Sequence, residues 1–161
     1  MNHLTRRHFV QLSAAAGLAG ALPGCATARR PRRISPNEKL NHACIGVGGM
    51  GGNDLKNFLS HPRCQVVALC DVDRNTLEKA AALVPGARRY TDWREMLAQE
   101  GDRIDSVNVA VPDHMHAAIA MPAIRAGKHV YCQKPLCHDV AECRALTRAA
   151  REAGVVTQLG T

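Results

Sequence analysis

The sequence predicts an α/β fold with a doubly wound parallel sheet, and two observations lead to this prediction. Short apolar stretches alternate with segments of helical length along residues 40–161. This alternation is typical of βαβ units, in which helices cover both faces of a parallel sheet. In addition, a glycine-rich turn follows the first apolar stretch, and an aspartate follows the second. The segment is long enough for one domain with one core.

Each element is assigned from its composition and its boundaries. Apolar runs are taken as strands, and the longer segments between them as helices. Strands are predicted at residues 40–45, 65–70, 88–90, 104–111, 129–132 and 155–159. Helices are predicted at residues 50–60, 75–84, 93–99, 113–126 and 140–153.

Five single residues mark boundaries in the later part of the chain. Asp92 can accept hydrogen bonds from the free N–H groups that begin the third helix, and Asp113 can do the same for the fourth helix. Pro112 ends the fourth strand. Gly127 and Gly154 supply the left-handed position that closes the fourth and fifth helices.

A Gly-Val-Gly-Gly-Met-Gly run of the form G-x-G-x-x-G follows the first strand. Gly46 permits the tight turn out of the strand, and Gly48, which has no Cβ, lets the backbone approach a pyrophosphate. Gly51 lets the next helix pack close to the sheet. Gly49 and Met50 stand at the start of that helix, whose free N–H groups and positive dipole end suit phosphates. These residues are candidate cofactor-binding residues of a Rossmann fold.

Asp71 ends the second strand, twenty residues after Gly51. An acid at this place accepts hydrogen bonds from both hydroxyls of the adenosine ribose and repels a 2′-phosphate, so NAD is predicted rather than NADP. Arg74 lies close enough to keep NADP as an alternative cofactor. A glycine-rich turn that binds no ligand is the competing interpretation, and the position of Asp71 argues against it.

Residues 1–28 resemble a twin-arginine export signal. Paired arginines precede a mildly apolar stretch, residues 10–22, that is too short to span a membrane. Residues 22–25 resemble a lipobox, which would leave a lipidated Cys25, whereas residues 26–28 resemble an ordinary A-x-A cleavage site. We expect a periplasmic protein that meets a membrane through the export machinery or through lipid on Cys25. A cytoplasmic protein with a basic start is the alternative.

The net charge of +7 is concentrated at the N-terminus. Residues 1–39 contain seven Lys and Arg and one acid, which leaves 14 basic and 13 acidic residues, a net charge of +1, for the rest of the chain. With only two Phe, two Tyr and one Trp in the whole chain, the domain also lacks stacking platforms, so nucleic-acid binding is not expected. Residues 29–39 read as a basic, proline-containing linker that we expect to be solvated.

The seven cysteines are expected to be mostly free, buried thiols. Cys44, Cys70 and Cys132 lie in or at the ends of apolar strands, where a free cysteine behaves as a small hydrophobic residue. Twin-arginine export carries proteins that have already folded in the reducing cytoplasm, so disulfides need not form.

Two further segments follow predicted strands: residues 111–116, Val-Pro-Asp-His-Met-His, and residues 132–136, Cys-Gln-Lys-Pro-Leu. Together with the glycine run they resemble the glucose–fructose oxidoreductase/inositol dehydrogenase (Gfo/Idh/MocA) family. The resemblance runs over residues 35–161 and covers the N-terminal, dinucleotide-binding half of that family. The family's C-terminal α/β domain is absent from this sequence.

The resemblance implies a role for the second segment. Lys134 matches a lysine that lies near the nicotinamide, orients the substrate hydroxyl and helps to move its proton, so Lys134 is the candidate catalytic residue. Pro135 matches the adjoining proline, and a Lys-Pro bond at a strand end is a candidate cis peptide. Gln133 stands where the family usually has glutamate, so Lys134 is expected to lack one carboxylate partner.

The first segment resembles the family's Thr-Pro-Asn/Asp-x-x-His loop, which lies against the cofactor. Val111, Pro112 and His116 therefore join Gln133, Lys134 and Pro135 as candidate cofactor-binding residues. His114 and His116 also form an H-x-H pair, which suggests zinc as an alternative. No third ligand is evident nearby in the sequence, so no metal is predicted.

The family's C-terminal domain supplies the substrate pocket and a general base, both of which hydride transfer requires. We therefore expect a fragment that is inactive alone. The intact enzyme is expected to be a homo-oligomer that passes hydride between the carbinol of a small sugar and the nicotinamide. Export implies a tightly held cofactor that is re-oxidised in place, which makes an NAD-dependent glycoside hydrolase of the same superfamily one alternative. A non-catalytic nucleotide-binding module or remnant is the other.

Overall fold

A computed structural model describes residues 30–161, which form a six-stranded parallel sheet with helices on both faces. The strands are β1 Leu40–Ile45, β2 Cys64–Cys70, β3 Arg88–Tyr90, β4 Ser106–Val109, β5 His129–Cys132 and β6 Thr157–Leu159. The helices are α1 Gly49–Ser60, α2 Arg74–Leu83, α3 Trp93–Glu100, α4 His116–Arg125 and α5 Val140–Ala153, with a short 3₁₀ turn at Asp113–Met115 before α4.

The strand order β3-β2-β1-β4-β5-β6 confirms the predicted doubly wound fold. Every neighbouring pair of strands is parallel. The chain winds outward from β1 to β3, crosses back to β4 on the other side of β1, and winds outward again to β6. Because the order reverses between β1 and β4, a crevice opens at the carboxyl ends of these strands, where such domains bind ligands.

The core has one layer on each face of the sheet. Ala43 and Ile45 of β1 pack into a cluster with Ile119 of α4, whereas Cys44 faces a second cluster with Leu55 of α1. Successive strand residues point to opposite faces, which explains the alternation. Helices α1 and α2 cover one face, and α3, α4 and α5 cover the other.

The capping predictions were confirmed for three of the four positions. The Asp92 carboxylate accepts a hydrogen bond from the N–H of Arg94 at 2.8 Å. Gly127 and Gly154 have φ angles of +74° and +66°, the left-handed conformation that closes helices.

The prediction that Asp113 caps the fourth helix was wrong. Asp113 begins the 3₁₀ turn, and neither this turn nor α4 has a side-chain cap. Backbone groups form the bonds instead, because the carbonyl of Pro112 accepts from Met115 and the carbonyl of Asp113 accepts from His116. The predicted helix over residues 113–126 is therefore a 3₁₀ turn followed by a shorter α-helix.

The fourth strand is also shorter than the predicted residues 104–111. The N–H of Ile104 bonds to the carbonyl of Glu100, so this apolar residue closes the turn after α3 instead of joining the sheet. At the other end, the chain leaves the strand geometry after Val109 and enters the loop that begins with Ala110 and Val111. Both discarded ends are apolar, which is why composition alone extended the strand.

The six cysteines among residues 30–161 are free thiols. Cys44, Cys70 and Cys132 are buried, as their apolar surroundings predicted. Burial raises the pKa of Cys70 and of Cys132 to about 12, so both thiols stay protonated and unreactive at neutral pH.

The linker is mostly exposed but is tied to the domain at one point. The Arg32 guanidinium bonds to both carboxylate oxygens of Asp105, with Nε 2.8 Å from Oδ1 and Nη2 3.1 Å from Oδ2. Asp105 Oδ2 also accepts from the N–H of Asn41 at 2.9 Å, so one carboxylate joins the linker, β1 and the start of β4. The linker is thus less freely solvated than its composition suggests.

The predicted export signal, the lipobox-like residues 22–25 and Cys25 lie outside the described residues. Within residues 30–161, no helix is long and apolar enough to cross a membrane.

Candidate cofactor site

The turn after β1 requires glycine at two positions, because a neighbouring backbone segment leaves no space for a Cβ there. Gly46 has a φ of +80°, and a Cβ there would collide with the carbonyl oxygen of Ala110. A Cβ on Gly51 would collide with the carbonyl oxygen of Gly46. These contacts bring α1 against the end of β1, as the sequence predicted for a dinucleotide-binding turn.

The N-terminus of α1 is open to a ligand. Gly48 is the N-cap residue and provides no capping side chain, and the first turn contains no acidic residue. Gly49 has no atom within 4 Å of an added Cβ, and the side chain of Met50 is 55% exposed. The free N–H groups of this turn can therefore donate to the oxygens of a pyrophosphate.

Asp71 joins the end of β2 to the glycine turn. Its Oδ2 accepts from the N–H of Val47 at 2.9 Å, and its Oδ1 accepts from the N–H of Asp73 at 3.0 Å. The sequence predicted a ribose-binding role for Asp71 but not this structural bond to the turn. Each carboxylate oxygen has two lone pairs, so both can still accept from ribose hydroxyls.

A cleft of about 410 Å³ lies at the carboxyl ends of β1, β2 and β4. It brings together five of the predicted cofactor-binding residues: Gly46, Gly48, Asp71, Val111 and Pro112. Thr91 and Trp93 also line it and were missed, although their position directly after the third strand was a usable signal. The remaining predicted residues, which are Gly49, Met50, Gly51, His116, Gln133, Lys134 and Pro135, do not line this cleft.

A larger cleft, of about 560 Å³, lies on the opposite edge of the sheet. Residues from the starts of β1, β2 and β3 and charged side chains of both signs line it. Ligands of doubly wound domains bind at the carboxyl ends of the strands, so the smaller cleft is the better candidate for the cofactor.

His116 connects the two loops that the sequence singled out. Its Nδ1 lies 2.6 Å from the carbonyl oxygen of Pro135, and its Nε2 lies 2.8 Å from the carbonyl oxygen of Val111. A neutral imidazole donates to one of these carbonyls, and an imidazolium donates to both. The ring is 1% exposed, and its two nitrogens are taken up by carbonyls, so the H-x-H pair with His114 is not arranged to bind zinc.

The side chain of Lys134 is exposed, and the Lys134–Pro135 bond is cis, as predicted. Gln133 is 6% exposed and points inward, where its Nε2 donates to the carboxylate of Asp54. Asp54 and its neighbour Asn108 were missed. The signal was available, because Asp54 follows Gly51 by three residues on the inner face of a helix, and Asn108 is polar in an apolar strand.

One other cluster of potential metal ligands occurs in the described part of the chain, at His138, Asp139 and Glu142. Asp139 accepts from the N–H of Glu142 at 2.8 Å, and the Glu142 carboxylate accepts from the N–H of His138 at 3.0 Å. These two bonds cap the start of α5 in the manner of a capping box, with the Glu142 carboxylate bonding one residue before the N-cap, and they explain the cluster without a metal.

Comparison with known proteins identifies the family. Residues 40–161 match the model of the GFO_IDH_MocA oxidoreductase family, described as an NAD-binding Rossmann fold. The chain is 32% identical to a D-apiose dehydrogenase of Paraburkholderia graminis, over 73% of this chain and 31% of that protein. It is 28% identical to a glycosyl hydrolase family 109 protein of Solibacter usitatus, over 93% of this chain and 37% of that protein.

Solved structures agree. GenD2 from gentamicin A biosynthesis, in complex with NAD, superposes with a TM-score of 0.71 and 35% identity, over 81% of this chain and 36% of that one. A myo-inositol 2-dehydrogenase from Lactobacillus plantarum superposes with a TM-score of 0.71 and 27% identity, over 76% of this chain and 36% of that one. The chain spans about a third of the length of the curated relatives it matches. It belongs to the Gfo/Idh/MocA oxidoreductase family, and residues 40–161 are its NAD-binding Rossmann domain.

Proposed function

We propose that this domain is the NAD-binding part of an exported, carbohydrate-acting oxidoreductase, in which hydride passes between a sugar carbinol and the nicotinamide. The observation that supports this proposal best is the bridge made by His116. It ties the segment of Lys134 and Pro135 to the loop of Val111, which lines the cofactor cleft. The backbone that carries Lys134 is thereby tied to the cofactor-binding edge of the sheet, and its exposed side chain is free to reach a ligand there.

When bound, NAD supplies the hydride acceptor at its nicotinamide. The N-terminus of α1 would hold the pyrophosphate, and Asp71 would accept hydrogen bonds from the adenosine ribose. Lys134 donates a hydrogen bond to the reacting hydroxyl of the substrate and orients it. A base from outside the described residues removes the proton, since no other general base is placed beside Lys134 by the contacts within residues 30–161.

The substrate class is proposed from the relatives. The D-apiose dehydrogenase and the inositol dehydrogenase named above act, by their names, on polyhydroxylated carbon skeletons. A lysine that orients one hydroxyl suits any such substrate, so the particular sugar depends on a pocket wall beyond this domain.

The cofactor part of the proposal is tested by calorimetric titration of the purified 161-residue chain with NAD and with NADP. We expect NAD to bind more tightly, and we expect no turnover with sugars. Tighter binding of NADP would contradict the assignment of Asp71. Turnover would contradict the proposal that a base comes from elsewhere, and absence of binding to either dinucleotide would favour a remnant.

A redox-neutral glycoside hydrolase is the second candidate, and it is favoured by the relatives named as glycosyl hydrolase family 109 proteins. Such an enzyme would oxidise a sugar carbon, eliminate the aglycone, add water and return the hydride. The two candidate functions are distinguished by assaying a longer protein that includes the substrate domain. Glycan cleavage without net NADH production would indicate the hydrolase, and NADH production in proportion to the oxidised sugar would indicate the dehydrogenase.

We further propose that the intact enzyme is exported by the twin-arginine route and contains a second, substrate-binding domain. The support is the paired arginines Arg6 and Arg7 ahead of an apolar stretch, and the limited share of its relatives that the chain covers. Mass spectrometry of the periplasmic product tests the first part. A mature N-terminus after residue 28, or a lipid on Cys25, is expected, and replacement of both arginines by lysine should keep the protein in the cytoplasm.

A further inference from the structure

A buried group of three polar side chains lies behind Lys134, and the proposed mechanism does not use it. Asp54 of α1, Asn108 of β4 and Gln133 after β5 are 6%, 0% and 6% exposed. They come from three separate elements and meet beneath the carboxyl edge of the sheet. Buried polar groups are costly unless they are paired, so this meeting requires an explanation.

Within residues 30–161, the hydrogen bonds to the Asp54 carboxylate come from side-chain amides. Gln133 Nε2 lies 2.8 Å from Asp54 Oδ2 and 3.1 Å from Oδ1, and Asn108 Nδ2 lies 3.4 Å from Oδ2. None of the ion pairs found within residues 30–161 includes Asp54. Both amides turn their donor ends toward this carboxylate, although Asn108 Oδ1 is thereby left without a partner in the described part of the chain.

The opposite end of the Gln133 amide faces the backbone of Lys134. Gln133 Oε1 accepts from the N–H of Lys134 at 3.3 Å. A carboxylate accepts hydrogen bonds and does not donate them, so Asp54 fixes which end of the Gln133 amide points outward. Gly160, after β6, packs against the same amide, since a Cβ there would lie 2.6 Å from Gln133 Oε1.

We propose that Asp54 is a positioning residue for Lys134 and acts through Gln133. The proposal rests on the proposed function of Lys134 beside the nicotinamide. Gln133 replaces the carboxylate usual at this position, and Asp54 brings a buried carboxylate from α1 to the side-chain amide of Gln133. Glutamine suits position 133 because its amide can donate to the Asp54 carboxylate. A glutamate there would place two carboxylates, which both only accept hydrogen bonds, next to each other.

The test compares Gln133→Glu, Asp54→Asn and the double variant, which exchanges the donor and the acceptor. In the double variant, the new amide at position 54 can donate to the new carboxylate at position 133, which still accepts from the N–H of Lys134. Glu152→Gln, which removes an exposed carboxylate from α5, is the control. Each variant of the full 161-residue chain is titrated with NAD and with ADP-ribose, which has the same adenosine and pyrophosphate but no nicotinamide.

We expect Gln133→Glu to weaken NAD binding about tenfold and ADP-ribose binding less than about twofold, because the change lies at the nicotinamide end. Adding Asp54→Asn should restore the NAD affinity to within about threefold of the wild type. A parallel loss of both ligands, or a folded double variant that binds NAD no better than Gln133→Glu, would overturn the proposal.

Failure of the proposed function gives a different result. If the wild-type chain binds neither ligand, the cofactor assignment fails at once. The coupling between Asp54 and Gln133 is still measured then, by a double-mutant cycle on the free energy of unfolding and by the amide nuclear resonance of Lys134. A shift of that resonance in Gln133→Glu and its return in the double variant would support the positioning role. An unmoved resonance would contradict it.

Discussion

At the scale of single residues, Gly51 is a position where α1 lies directly against the backbone of the turn after β1. A Cβ there would collide with a backbone oxygen, which cannot rotate away as a side chain can. We expect Gly51→Ala to lower the free energy of unfolding by about 2 kcal/mol or more, because α1 must move away from β1. The displaced α1 terminus should also bind NAD more weakly. Urea unfolding and NAD titration measure the two effects.

Gly86→Ala is the matched control, since no atom lies within 4 Å of an added Cβ at that exposed position. It should leave stability the same or raise it by a few tenths of a kcal/mol, through the smaller entropy of the unfolded chain. Equal free energies of unfolding for the two alanine variants would show that the close approach at Gly51 does not affect stability.

His42 predicts how stability depends on pH. Burial lowers its pKa to about 3, and its Nδ1 lies 2.7 Å from the Ser106 hydroxyl oxygen. The unfolded chain takes up this proton below about pH 6.5, whereas the folded chain does not until near pH 3. Stability should therefore fall as the pH falls through this window, with a contribution from His42 that approaches ~1.4 kcal/mol per pH unit.

Urea unfolding at several pH values measures the slope. His42→Gln should reduce it by about one proton, and His114→Gln, which changes an exposed ring, should leave it unchanged. Carboxylates and the half-buried His129, whose pKa is also lowered by burial, contribute equally to both variants. A full slope in His42→Gln would contradict the assignment.

At the scale of elements, two aspartates that look alike in sequence have different roles. Asp139 accepts from the N–H of Glu142 at the start of α5, whereas Asp113 makes no capping bond. We expect Asp139→Ala to cost about 1 kcal/mol of stability and Asp113→Ala to cost close to nothing. Thermal unfolding of the two variants measures these costs in stability. An equal cost in both would mean that the Asp113 side chain stabilises its turn as much as Asp139 stabilises α5.

The bounds of some elements could be predicted from the sequence, and those of others could not. β1 was predicted to the residue, because a glycine turn and an apolar run mark both of its ends. β4 was extended too far, because its flanking residues Ile104 and Val111 are as apolar as the strand itself. Which backbone group accepts a given N–H is decided by tertiary neighbours, and composition does not contain that information.

At the scale of the whole molecule, the edge of the sheet where the site lies could be predicted, but the side-chain bonds between its loops could not. The strand ends of a doubly wound sheet meet at one edge, so Gly46 and Asp71 were expected to share a cleft. That His116 would face two carbonyls, and that Gln133 would turn inward to Asp54, depends on side-chain contacts between residues far apart in the chain. Only the packed structure supplies those distances.

Cofactor binding at this edge should stabilise the entire domain, because α1, β1 and β2 all contribute to the site. A ligand that binds the folded state alone adds about 2.7 kcal/mol at a concentration of 100 times its Kd, which corresponds to a rise in Tm on the order of 10 °C. We expect this rise in Tm with NAD and a smaller rise with the same concentration of NADP, since Asp71 repels the added phosphate.

Asp71→Asn should reduce the difference in Tm between the two dinucleotides by removing that repulsion. Asp102→Asn, at the opposite edge of the sheet, should leave the difference unchanged. Differential scanning fluorimetry over a range of concentrations of both dinucleotides gives the comparison. A larger rise with NADP than with NAD in the wild-type chain would mean that Asp71 serves the Val47 amide alone and does not select the cofactor.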